Sequence, residues 1–137
     1  MKKFFTLVLL SVCWQLCSAQ EVAVQTGPQI EFKETLYNFG AITQGDTVLH
    51  TFIFENIGTE PLKIISAAGS CGCTVPKYSK DDILPGKKGE VQVRFNSAGK
   101  LGMQNKTVTL MTNVVDKKPI VLTIRGTVVS KMSDGKD

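Results

Sequence analysis

The chain predicts an immunoglobulin-like β-sandwich of about seven strands, on three observations. From Pro28 onward, apolar residues recur at every second position in short runs, and no helical stripe interrupts them. Turn residues separate the runs at short intervals, as they do between the strands of a sandwich. At 137 residues the chain is long enough for one domain and too short for two.

Taken in order, Pro28 to Phe32 sets Ile30 and Phe32 on one face, and Leu36 to Ile42 continues with Tyr37, Phe39 and Gly40. Gln44-Gly45-Asp46 is a turn signal. Thr47 to Asn56 alternates most clearly, with Val48, His50, Phe52 and Phe54 on one face and Leu49, Thr51, Ile53 and Glu55 on the other. Asn56-Ile57-Gly58-Thr59 turns the chain into Pro61 to Ala67, where Leu62 and Ile64 share a face. Gly69 to Lys80 has no period and reads as irregular. Pro85-Gly86 is a turn dipeptide leading into Glu90 to Asn96, with Val91, Val93 and Phe95 facing inward. Gly99 and Gly102 bracket a turn before Lys106 to Thr112, and Pro119 to Val129 is the last strand. Gly126 within that strand suggests a β-bulge. The domain is therefore expected over 28–129, with a polar tail over 130–137. An antibody-type Cys…Trp…Cys core is not expected, because the sole tryptophan, Trp14, precedes the domain.

The first 19 residues read as an export signal. Met1-Lys2-Lys3 supplies the positive start, Phe4 to Leu16 an uncharged apolar stretch, and Cys17-Ser18-Ala19 the small residues of a cleavage site before Gln20. Ser11, Cys13 and Gln15 interrupt the stretch, which falls short of the roughly 20 apolar residues of a membrane span. Lipid attachment wants a small residue directly before its cysteine, whereas Cys17 follows Leu16 and Cys13 follows Val12. A periplasmic location is expected, ahead of secretion or a lipid anchor, with no membrane span in the mature chain.

Loss of Lys2 and Lys3 leaves 14 basic against 12 acidic residues. That surplus is too small for a nucleic-acid or polyanion binder, which concentrates a large basic excess on one face. The densest basic pairs, Lys87-Lys88 and Lys117-Lys118, adjoin glycine or proline and read as solvated turn lysines. Catalysis is likewise not indicated. His50 is the only histidine and shares its strand face with Val48 and Phe52, as a structural side chain does. No serine stands in a Gly-x-Ser-x-Gly elbow, no glycine loop cradles a phosphate, and Asp81-Asp82 adjoins a turn. Asn105-Lys106-Thr107 matches a glycosylation sequon that carries little weight alone.

Several runs occur in a recognisable order: Tyr37-Asn38-Phe39-Gly40-Ala41-Ile42, Gly45-Asp46, Phe52 to Gly58, Pro61-Leu62, Ser70-Cys71-Gly72-Cys73-Thr74, Pro85-Gly86-Lys87 and Lys106 to Thr109. Together they resemble the bacterial exported family catalogued as domain of unknown function fifteen-seventy-three, over Phe32 to Val128. The resemblance implies an Ig-like fold akin to major-sperm-protein, pilus-chaperone and abnormal-spindle/hydin modules. It implies no activity; kinship with such modules suggests binding another envelope or secreted protein.

Cys71 and Cys73 are the one chemical feature left open. Outside the cytoplasm, neighbouring thiols tend to be oxidised or to hold a metal. Residues i and i+2 of an extended segment point to one side, and a kinked Cys-Gly-Cys can reach the Cα separation of about 4.4–6.8 Å that a disulfide needs. Gly72 offers backbone angles closed to other residues. A bond there closes almost no loop, so it adds little chain-entropy stabilisation. The pair is compatible with plain packing, a passive local disulfide, a Cu(I) site on two thiolates, or thiol–disulfide exchange. Copper would draw further ligands from His50, Met103 or Met111. Zinc fits less well, because a closed site wants four ligands, and the pair lacks the Cys-x-x-Cys spacing usual for exchange enzymes. The expectation is a non-enzymatic module without a cofactor, the alternative being a periplasmic Cu(I)-binding or redox protein acting through Cys71 and Cys73.

Overall fold

The computed structural model describes residues 25–132 and holds eight strands among them. The expected leader over 1–19, with Cys13 and Cys17, and residues 133–137 of the tail lie outside the described residues. The strands are β1 (Ile30–Phe32), β2 (Leu36–Thr43), β3 (Thr47–Asn56), β4 (Ile64–Gly69), β5 (Thr74–Tyr78), β6 (Lys88–Asn96), β7 (Gly102–Thr112) and β8 (Ile120–Val129). They form two four-stranded sheets, β1-β3-β6-β5 and β2-β8-β7-β4. Every pairing is antiparallel except β2 with β8.

Inward residues of both sheets make a single core. Phe52 and Phe54 of β3, Val91, Val93 and Phe95 of β6, Val108 and Leu110 of β7, and Leu122, Ile124 and Val128 of β8 are all buried. Period-two alternation drives this arrangement, since each buried aromatic or branched side chain contributes roughly 1.5–3 kcal/mol when removed from water. Asn56 is fully buried at the end of β3 with its amide fully used. Its Nδ2 donates to Glu60 O and Ile83 O at 2.8 Å each, and its Oδ1 accepts from Gly58 N at 2.9 Å. The Asn56-to-Thr59 turn is thereby fastened to the loop ahead of Pro85, where Leu62 and Ile83 bridge.

Two expectations need correction here. Thr74–Tyr78, within the stretch expected to be irregular, is an eighth strand. Its alternation is hidden by Pro76, and the register explains why a proline is tolerated. Asn96 N bonds to Cys73 O at 2.9 Å, making that pair a hydrogen-bonded one. By alternation Pro76 and Val93 face each other as a non-bonded pair, so no ladder bond is lost. The second correction concerns the bulge, which lies in β2 between Asn38 and Gly40, opposite Gly126 rather than in β8. A Cβ on Gly126 would collide with the ring of Phe39. The glycine is there to let that ring lie across β8.

Candidate functional site at the Cys71–Cys73 turn

The chain passes from one sheet to the other between β4 and β5, and Ser70 to Cys73 make the passage. Both ends are tied down. On the β4 side, Ser70 N donates to Thr107 O of β7 at 2.8 Å, and Thr107 N donates back to Ser70 Oγ at 3.1 Å. On the β5 side, Asn96 N of β6 donates to Cys73 O. Within the passage Thr74 N donates to Cys71 O at 3.1 Å, which closes a tight turn. Gly69 is packed so closely that a Cβ there would collide with the carbonyl of Thr74.

Cys71 and Cys73 are joined as a disulfide across this turn, with Cα atoms 5.2 Å apart. The sulfurs are brought together by the turn and not by the extended alternation expected for residues two apart. Gly72 likewise departs from expectation. Its φ lies outside the left-handed region, and a Cβ built on it meets nothing within 4 Å. Turn closure positions the sulfurs, so Gly72 serves as an exposed, unobstructed apex. Both cysteines are half-buried, and Cys73 packs against the hydrophobic core. Thr74 is 3% exposed, and its Oγ1 stands 3.6 Å from Cys71 Sγ and 3.9 Å from Cys73 Sγ. The sequence shows Thr74 only as the end of a motif; its place under both sulfurs follows from the turn.

The other residues considered as ligands sit elsewhere. His50 is in β3 opposite Val93, stacked on Tyr37 at 3.7 Å and edge-on to Phe52, with Nε2 2.9 Å from Glu34 Oε1. Tyr37 belongs to the opposite sheet, so His50 is an inter-sheet packing residue. Met111 is opposite Ser66 and Met103 opposite Thr127, on either side of the β7 level where Val108 meets Gly69. Among the described residues, no three His, Cys, Asp or Glu side chains gather as a metal site. Nor is any helix there long and apolar enough to cross a membrane.

Similar folds occur in several solved structures. A protein of unknown function from Porphyromonas gingivalis W83 superposes with a TM-score of 0.65 at 13% identity, over 80% of this chain and 51% of that one. The ASH/PapD-like domain 7 of human CEP192 gives 0.61 at 11% identity, over 74% and 86%. The Vibrio cholerae VesB protease gives 0.61 at 16% identity, over 72% of this chain and 32% of the protease. The chain thus spans about half the length of the Porphyromonas protein, and at these identities the likeness is one of fold. No curated protein matches the chain. Residues 30–128 match the family described as "Protein of unknown function (DUF1573)", the one the ordered motifs resemble, and the chain belongs to that family.

Proposed function

We propose that the chain is a binding module of the bacterial envelope that takes up an extended segment of another exported protein as an added strand. One observation carries this reading. β2 spans Leu36–Thr43, pairs with β8 on one side only, and is the longest of the four edge strands. The bond from Gln44 N to Val129 O directs alternate residues toward β8, which leaves the amides of Ala41 and Thr43 facing outward. Thr43 N is taken by Asp46 Oδ2 at 3.0 Å, whereas Ala41 has no such cap among the described residues. An unpaired backbone edge is what strand addition uses for affinity, with neighbouring side chains supplying selectivity.

The test uses a photo-crosslinking residue at Asn38 in β2 and, as control, at Gln92 on the outer surface of β6, in the full chain expressed in its native envelope. An adduct with an exported protein is expected from position 38 alone, in the periplasmic fraction, and Ala41→Pro should abolish it while circular dichroism stays unchanged. Adducts that survive Ala41→Pro would exclude strand addition at this edge.

A further inference from the structure

We propose that the Cys71–Cys73 bond is an exchangeable disulfide, passing its oxidising equivalents to the dithiol of another exported protein. The inference is independent of the edge-strand reading and rests on the turn itself.

The bond is redundant as a staple. Ser70 is held to Thr107, Cys73 to Asn96 and Thr74 to Cys71 by backbone bonds, and Gly69 packs on the Thr74 carbonyl. Opening the disulfide leaves all of these in place, so the two sulfurs remain neighbours. A cross-link spanning a single residue also restrains the unfolded chain very little. A structural bond is thus poorly explained here, while a reversible one finds a scaffold that holds both redox states. Access and polarity agree with this. Both cysteines are half-buried rather than sealed, and Gly72 presents an open apex to an incoming group. Thr74 Oγ1, within 3.6–3.9 Å of both sulfurs, is placed to donate to whichever becomes a thiolate.

The two positions are not equivalent. Cys73 packs on the core and Cys71 does not, so the incoming thiolate attacks Cys71 Sγ. The Cys71–Cys73 bond breaks, Cys73 leaves as a thiolate, and a mixed disulfide links Cys71 to the partner. The partner's second thiolate then attacks its own sulfur in that mixed disulfide and releases Cys71. The partner loses two electrons to become a disulfide, and the pair gains them, with two protons, to become two thiols. Exchange with a small-molecule disulfide of the glutathione class runs the same steps backward and restores the bond.

The test takes the purified chain with its bond intact and adds dithiothreitol without denaturant, following free thiols by maleimide mass shift and the sheet by circular dichroism. The bond should open under these native conditions and the sheet signal should persist. Single variants then locate the attacked sulfur. Cys73→Ser, which keeps Cys71, should form a mixed disulfide with oxidised glutathione about tenfold faster than Cys71→Ser, which keeps Cys73. A bond that opens only in denaturant, or a reduced chain that loses its sheet signal, overturns the proposal. Equal rates for the two variants overturn the assignment of Cys71 as the entry point.

Discussion

Two glycines illustrate how little the residue type says without its surroundings. At Gly126 a Cβ would be driven into the Phe39 ring and toward the Gly40 carbonyl, while at Gly72 it would meet open space with φ outside the left-handed region. Sequence reasoning gave Gly72 a conformational role and Gly126 a bulge, and both assignments fall for the same reason. Each role is set by the space beside the backbone, filled by Phe39 of β2 in one case and open in the other. The expected consequence is opposite effects from the same substitution. Gly126→Ala should lower stability by about 1–3 kcal/mol through overpacking. Gly72→Ala should be neutral or stabilising by up to about 1 kcal/mol, because alanine reduces the freedom of the unfolded chain at a position whose native backbone it can adopt. Urea unfolding of the two variants decides it, and equal losses would show that the Phe39 contact does not dictate Gly126. His50 was legible, since its apolar strand face foretold packing; its partner Tyr37, in the other sheet, was not.

At the scale of elements, period-two patterning identified seven strands because apolar side chains facing the core alternate along them with side chains facing solvent. β5 escaped because it is short, lies at an edge and carries Pro76. The parallel pairing of β2 with β8 was equally invisible, since alternation states which face is buried and not which strand lies alongside. These differences have a dynamic counterpart. β6 is bonded on both sides, by β3 and β5, whereas β5 is bonded by β6 alone. Val75 and Lys77 sit at the hydrogen-bonded pairs of that outer ladder, and Val91 and Val93 sit at those of the inner one. Native-state hydrogen exchange should therefore be faster at Val75 and Lys77 by on the order of a hundredfold, because an edge strand opens without disrupting the core. Similar protection in both ladders would mean that β5 is fastened by more than its pairing, with the disulfide turn the first place to look.

The whole molecule is two sheets sharing one set of buried side chains, so neither should persist without the other. Tyr37 stacking on His50 and Phe39 on Phe95 join the sheets directly, and the core draws on β3 and β6 from one and β7 and β8 from the other. Folding the β1-β3-β6-β5 sheet alone would leave the inner face of Phe52, Phe54 and Phe95 in water, a cost comparable with the roughly 5–15 kcal/mol that stabilises an entire domain. The sequence supplies a clean way to see this. Its two tyrosines, Tyr37 and Tyr78, lie in different sheets, and the sole tryptophan, Trp14, lies in the expected leader. In a chain beginning at Gln20, Tyr78→Phe leaves a reporter in the β2 sheet alone and Tyr37→Phe leaves one in the β5 sheet alone. Each variant's tyrosine fluorescence should follow its own circular dichroism through one shared midpoint, as two-state unfolding requires. A midpoint in which one tyrosine reports unfolding before the sheet signal falls would show that the two layers come apart separately. The shared core would then be a contact between two stable sheets and not the source of their stability.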